Sequence, residues 1–581
     1  MPFLADKMKK LTSIFILFVL MESVLIAGLV KPANGSTLNY IHVLFEWEQE
    51  SGASAYNLQV SQGNNLIIDV EVSSLYFIAE ENIDWETSFS WKVRPNNSEN
   101  WIGPYTFITG STISNVEVII HNENLYSPGL TIFSSFFNYY SAAFDQAGNE
   151  VWNTGQSDIV YYNTNYEGKL FGCWLNNQSE NNLPGVEFNL DSEFDWEEPN
   201  DEFLHHDLIQ LPNGNYLGIV ETSQFGPIPY GSWTEICQAY GYIADGVYPD
   251  LPWIGDKIVE WDEMTKEVVW SWNVFDYFDM GDYDSGLWDN VCSDNGKYDW
   301  THINAIVFND QESAIYISTR HLSRITKIDY PSKDIIWNMG HDMPSGDVGF
   351  GHNLGFSWQH SLQVLNNGNI ITLDNGNRSE SFLYTEFPTT RGIEISVEEN
   401  NGEYSSEIVW EYSLPEDLFG FASGNVQKLV NGNYLITTVG GGGTVLEVTP
   451  ENEIVWEANL NLMLPFGAVY RANRISSLYP GTSQLGVDDR APIITDFHLN
   501  EPYPNPFNPT VNIEFSIIEK SVIYLLVYDI KGTELETIYS GIKYPGIYKY
   551  SWSAEKYPSG TYFIKLETEK QKEIKKIVLL K

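Results

Sequence analysis

Hydrophobic and polar positions between residues 114 and 483 fall into two recurring phrases. The first is a short apolar strand, a polar turn and a second apolar strand. It reads HDLIQLPNGNYLGIV from His206, HINAIVFNDQESAIYIS from His302 and HSLQVLNNGNIITLDNGNR from His360, with NVQKLVNGNYLITTV following Gly424. The turns Asn213-Gly214, Asn309-Asp310, Asn367-Gly368 and Asn431-Gly432 each begin seven residues after that opening position. The second phrase is a strand, a polar turn and a strand closed by tryptophan. It ends at Trp152, Trp270, Trp337 and Trp456, with a shorter variant at Trp410. Alternation at period two around a polar turn marks a hairpin. Two hairpins per unit in about six units predict an all-β fold. The expected architecture is a six-bladed β-propeller over 114–483, flanked by two small β-sandwich modules. A solenoid would keep a tighter period than these insertion-laden units.

The flanks carry simpler patterns. Alternating runs at Val43–Trp47, Tyr56–Val60 and Phe89–Val93 predict one β-sandwich over 31–110, and another spans 497–581 after a linker at Pro480–Pro492. Lys7, Lys9 and Lys10 precede the apolar run Leu11–Leu20, with small residues at Ala27 and Gly28, which reads as a signal peptide over 1–28. Glu22 leaves that run too short to span a bilayer, so the chain is read as exported and not as an integral membrane protein.

Composition narrows the function classes. With 31 basic and 78 acidic residues the 581-residue chain has a formal charge of −47, which repels phosphate backbones and argues against nucleic-acid binding. Three cysteines occur, at spacings that match no zinc motif. Cys237 and Cys292 flank one long insertion and are the expected disulfide, leaving Cys173. The acidic, aromatic segments Asn189–Glu202 and Asp276–Asp299 do not fit the calcium-loop pattern and are expected to form lids over one propeller face. No metal or cofactor is predicted.

Candidate chemistry comes from the repeat itself. Equivalent positions of successive blades converge on a propeller axis, so His206, His302 and His360 are expected around the channel mouth. One such histidine is an ordinary strand-start residue; three in register point to a site. Asn304 is expected on the same strand face as His302. Arg320, His321 and Arg378 follow the neighbouring strands. Imidazoles, an amide and a guanidinium suit an anion whose charge shifts during group transfer. The G-x-S-x-G elbow of serine hydrolases is absent, and Gly440–Gly443 lacks the lysine of a phosphate-binding loop.

The ordered motifs HHDL (His205–Leu208), DWTHINAI (Asp299–Ile306), STRHLSRITKID (Ser318–Asp329), IIWNMG (Ile335–Gly340), WQHS (Trp358–Ser361) and LDNGN (Leu373–Asn377) resemble the bacterial arylsulfotransferase (aryl-sulfate sulfotransferase) family over Val116–Asn473. The resemblance implies a six-bladed propeller that moves a sulfuryl group from a phenolic sulfate ester to a phenol. Transfer runs through a sulfohistidine with no nucleotide donor and no cofactor. It implies that His360 is the nucleophile, that His206 and His302 handle the phenolic protons, and that Asn304 and Arg320 bind the sulfuryl oxygens. WQHSLQV departs from the family's QHT-type context.

Trp47, Tyr56 and SWKVR resemble a fibronectin type III module. YPNPFNPT, VYDIKG, PSGTYFIKL and KKIVLLK resemble the C-terminal sorting domain of type IX secretion, which implies the secretion machinery as partner and a secreted or cell-surface location beyond the periplasm and outer membrane. The competing function is a non-catalytic secreted propeller that binds a glycan or partner protein, which would keep its binding without His360. A lyase or hydrolase would need a carboxylate or tyrosine pair at one repeat phase, and the repeats show none.

Overall fold

The alternating phrases fold as hairpins, and pairs of hairpins join into antiparallel sheets. In this computed structural model the described residues are 28–581 except 166, 177–182, 200–203, 295, 480–495 and 544. The expected signal segment, apart from Gly28, and the expected linker lie outside them. Six sheets share one four-stranded meander order. The second runs through Ile159–Thr164, Leu170–Trp174, Gly185–Phe188 and Phe194–Glu197. The third runs through Leu204–Gln210, Tyr216–Pro227, Pro249–Trp261 and Val268–Asn273. The fourth begins at Ile303–Asn309, the fifth at His360–Val364 and the sixth at Asn425–Lys428.

The first sheet joins the two ends of this region. It takes Leu130–Phe136, Tyr140–Phe144 and Glu150–Asn153 from the start and Ala468–Ile475 from the end as its innermost strand. Glu117–Ile120 in turn adds a fifth strand outside the sixth sheet. The innermost strands touch in a closed cycle, from Ala468–Ile475 through those of sheets two to six and back.

Tryptophans mark the same place in each of the six sheets. In every sheet a fourth-strand tryptophan faces the third strand: Trp152 opposite Ala143, Trp196 opposite Glu187, Trp270 opposite Glu260, Trp337 opposite Lys327, Trp410 opposite Glu394 and Trp456 opposite Glu447. A register shift follows each pair. The indoles pack between sheets, where each large ring buries area, and three of them also find an acceptor for the indole N–H. Trp152, Trp270 and Trp456 donate to the carbonyls of Leu190, Pro331 and Gln146, each in a turn of the next sheet. Trp456 thereby closes the sixth sheet onto the first.

Trp196 corrects one expectation. It lies in the acidic stretch read as a lid, yet Phe194–Glu197 is the outer strand of the second sheet, and Trp196 stacks on Tyr216 at 3.9 Å between centroids. The dense Asp and Glu content around it hid the alternation.

The insertion at Asp276–Asp299 is held as part of the core. Cys237 and Cys292 form the expected disulfide, closing a sequence separation of 55, worth about 4 kcal/mol by chain entropy alone. Trp288 stacks on Tyr298 at 4.2 Å, and Asp282 pairs with Arg324 at 2.6 Å with both side chains fully buried. Asp282 also accepts from the Ser345 backbone N–H at 2.9 Å and from its hydroxyl. Breaking a buried pair leaves an uncompensated charge, so Asp282→Ala is expected to cost about 3–5 kcal/mol in urea unfolding. A loss under about 1 kcal/mol would mean that Arg324 finds another partner.

The N-terminal module has two sheets, Leu29–Lys31, Val43–Trp47 and Tyr76–Ala79 against a five-stranded sheet, around Phe45, Trp47, Tyr56 and Trp91. It shares one core with the first two sheets, and Trp85 Nε1 donates to the Glu150 carbonyl at 2.8 Å. The C-terminal region has two further sheets around Phe515, Leu525 and Trp552, with a core of its own.

Candidate active site

Histidines enter the site at the first strands of three successive sheets, His206 and His360 within theirs and His302 just before its own. His206 and His360 each stand four residues before the last ladder pair of their hairpin, Gln210–Tyr216 and Val364–Ile370. His302 stands seven before the pair Asn309–Ala314, because that hairpin closes with a tighter loop. The seven-residue sequence phase therefore does not give His302 the depth of the other two, and it sits outside its strand, nearer the mouth. All three nevertheless line one cavity of about 560 Å³, together with Arg320, His205, Asp256, Asp299 and Tyr470. Backbone at positive φ, 67° at His206 and 51° at His302, re-aims these side chains where the ladders bulge.

His360 is held in a defined tautomer. Its Nδ1 lies 2.7 Å from Asn375 Oδ1, and the Asn375 amide donates to the carbonyls of Gly420 at 2.6 Å and Ser423 at 3.0 Å. With both N–H bonds committed, Asn375 can offer His360 only its oxygen, so Nδ1 carries the proton and Nε2 the lone pair. The Ser423 backbone N–H donates to that Nε2 at 3.3 Å. Burial first, then the charge of Arg320, holds the His360 imidazole well below its ordinary value.

A second chain of groups carries protons. Tyr470 gives its hydroxyl proton to the His206 carbonyl at 2.6 Å, so its oxygen accepts from His206 Nδ1 at 3.2 Å. His206 Nε2 is then a lone pair, and the Nε2–H of His302 donates to it at 3.0 Å. His302 Nδ1 donates in turn to Asp299 Oδ2 at 2.7 Å. This network places two protons on His302, opposite a carboxylate. Burial would raise Asp299, but the charges of His302 and His321 outweigh it and keep the carboxyl ionised, well below its usual range. Burial, then His205 and His302, keeps His206 well below the usual imidazole value.

Arg320 is the anion-binding candidate. Its guanidinium touches His321 and donates to the Phe421 carbonyl at 3.2 Å, while its buried Nε has no partner. Burial pulls it down to about 10, which still leaves it charged at neutral pH. Asn304 lies elsewhere. It is fully buried, does not line the cavity, and donates to the Gln359 carbonyl at 2.7 Å. Gln359 is itself tied to Ser318, Thr319 and Arg324, so Asn304 belongs to the brace beneath His360. Arg378 pairs with Asp284 and not with the cavity.

Asp299, His205 and Asn375 were within the quoted motifs but carried no repeat signal. Asp256 and Tyr470 had none. Asp256 takes His205 Nε2 at 2.9 Å and the Ile303 N–H at 2.8 Å, which fixes the start of the strand behind His302. Phe136, Phe137 and Phe421 add an apolar wall.

The buried imidazoles set a pH response. His206, His321 and His360 all have folded values well below the unfolded value of about 6.5. Below that pH the unfolded chain binds more protons than the folded one, so stability present above it is lost as pH falls. The urea midpoint is expected to drop between about pH 7 and pH 5. An unchanged midpoint would rule out neutral, buried imidazoles.

Two families match the sequence. Arylsulfotransferase (ASST) matches residues 249–471, a stretch that holds His302, Asn304, Arg320 and His360 but not His206. The secretion system C-terminal sorting domain matches residues 501–580. No curated protein matches the chain. Among solved structures, a protein of unknown function from Bacteroides caccae is 14% identical with a TM-score of 0.35, over 60% of this chain and 98% of its own. A putative 6-phosphogluconolactonase from Bacteroides uniformis is 9% identical at 0.33, over 73% and 100%. A quinonprotein alcohol dehydrogenase-like protein from Bacteroides thetaiotaomicron is 8% identical at 0.31, over 77% and 99%. Among the described residues no helix is long and apolar enough to cross a membrane. The chain therefore carries an arylsulfotransferase domain and a C-terminal sorting domain that directs it to the cell surface or out of the cell.

Proposed function

We propose that this chain is an exported six-bladed β-propeller arylsulfotransferase that passes a sulfuryl group through His360. The closed cycle of six innermost strands supports the propeller reading, with the fibronectin type III-like module at 31–110 packed on its side. The observation that carries the chemistry is the Asn375 lock, which leaves the His360 Nε2 lone pair in the cavity shared with Arg320 and the His206–His302–Asp299 chain. A neutral imidazole is a competent nucleophile at neutral pH.

In the first half-reaction Nε2 attacks sulfur, the S–O bond to the phenol breaks, and the Nε2 proton of His302, which is held against His206 Nε2 in the free site, passes to the departing oxygen in exchange for that hydrogen bond. Arg320 stabilises the charge on the remaining sulfuryl oxygens, as cations do in phosphoryl transfer. In the second, an acceptor phenol returns its proton to His302 while its oxygen takes the sulfuryl group from His360. Asn304 contributes by bracing the Gln359–His360 backbone, in place of a direct contact with the sulfuryl oxygens. The apolar wall of Phe136, Phe137 and Phe421 suits aryl groups on both partners.

Incubation with a radiolabelled aryl sulfate and no acceptor should leave an acid-labile label on His360, and steady-state kinetics with a phenol should be ping-pong. A folded protein that releases no phenol from a panel of aryl sulfates would end this reading.

A further inference from the structure

The disulfide-held insertion reaches Arg320 through a single indole. Trp358, two residues before His360, lies under the Arg320 guanidinium at 4.1 Å and the Arg378 guanidinium at 5.1 Å, measured to its ring centroid. Asp284 of the insertion ties the other side of this group. Its Oδ2 accepts from Trp358 Nε1 at 3.0 Å and Arg378 Nε at 2.9 Å, and its Oδ1 from Arg378 Nη2 at 2.8 Å. Asp284 also caps the short turn Ser285–Leu287 by accepting from the Gly286 N–H, so its carboxylate is fixed in direction. Gly286 leaves the room this needs, since a Cβ there would stand 2.1 Å from Arg378 Nη2.

Arg320 has no carboxylate within salt-bridge distance among the described residues. Its position rests on the Phe421 carbonyl, His321 and the face of Trp358. A guanidinium over an indole is attracted to the ring face, and the direction of the force follows the ring. The ring is oriented in turn by its Nε1–H bond to Asp284. Arg378 on the same ring repels Arg320 unless its own charge is neutralised, and Asp284 does that as well.

We propose that Asp284 is a positioning residue for Arg320: by holding Trp358 and neutralising Arg378, it aims the arginine at the transferring group. The inference rests on the sulfuryl-transfer reading of the cavity. Asp284 touches no reacting atom and lies outside the cavity lining. Transfer needs near-contact placement, and a shift of about 1 Å can cost about a hundredfold.

The test is a double-mutant cycle with 4-nitrophenyl sulfate as donor and phenol as acceptor. Asp284→Ala is expected to lower kcat/KM about 10- to 100-fold, with most of the loss in kcat. In an Arg320→Ala background the same change should cost less than about threefold, because the group being aimed is already gone. Gly286→Ala, which keeps both charges but crowds Arg378, should give a smaller loss with the same dependence on Arg320. Fold is checked by the thermal midpoint of each variant. Asp284→Ala with wild-type kinetics, or with equal losses in the two backgrounds, overturns the proposal. If the wild type transfers nothing, the sulfuryl-transfer reading fails instead, and phenylglyoxal labelling of Arg320 still decides the positioning. Faster labelling of Arg320 in folded Asp284→Ala supports it, and an unchanged rate overturns it.

Discussion

Replacing His360 by alanine is expected to lower phenol release from an aryl sulfate by at least about a thousandfold and to remove the covalent label. Neither His206 nor His302 is placed to substitute. His206 Nε2 takes the Nε2–H of His302 at 3.0 Å, a tighter bond than the 3.3 Å contact of Ser423 N–H to His360 Nε2, and His302 carries protons on both nitrogens, one of them donated to Asp299. The fold should survive, because Asn375 keeps both bonds to Gly420 and Ser423 and loses only the partner of its oxygen. That loss is worth about 1–3 kcal/mol. Unfolding curves recorded alongside the kinetics separate the two effects. Label persisting on His360→Ala would move the nucleophile elsewhere.

The second large effect is expected from Asp299→Asn, a fall in kcat of about 10²–10⁴-fold for donors with poor leaving groups. Asp299 keeps two protons on His302 by accepting from Nδ1 at 2.7 Å. A neutral amide there no longer stabilises the imidazolium, and the acid that protonates the leaving phenol is lost. Leaving-group ability then becomes diagnostic. 4-Nitrophenyl sulfate, whose phenolate departs without help, should lose far less than phenyl sulfate. Equal losses for both donors would assign Asp299 to binding and not to proton delivery.

These expectations draw on different levels of the molecule. The repeat of strand, turn and strand made the all-β class legible, because alternation at period two needs only local sequence. His206 and His360 were marked by the same local count. His302 was found by that count too, but its depth was not. The loop after Asn309 is tighter than its counterparts, and ladder register is fixed by pairing across the hairpin, which residue spacing alone does not state. Trp196 was missed for a related reason. Its strand is short and set among acidic residues, and it becomes a strand only because the edge of Gly185–Phe188 is there to pair with it.

By itself, the sequence determined the residue types available for chemistry and the C-terminal sorting domain, and it named Cys237 and Cys292 as the expected pair that the structure then joins. The tertiary structure decided which of those residues meet. Asn304, expected at the sulfuryl group, is turned to the Gln359 carbonyl, and Arg378 to Asp284. Tyr470 reaches His206 from a strand distant in the chain, and Asn375 reaches His360 from the far end of its own hairpin. Protonation was decided there as well, since a tautomer depends on the partner at each ring nitrogen and that partner is set by packing. The ring of sheets converts a periodic chain into a convergent cavity, and convergence is a property of closure, which no single repeat contains.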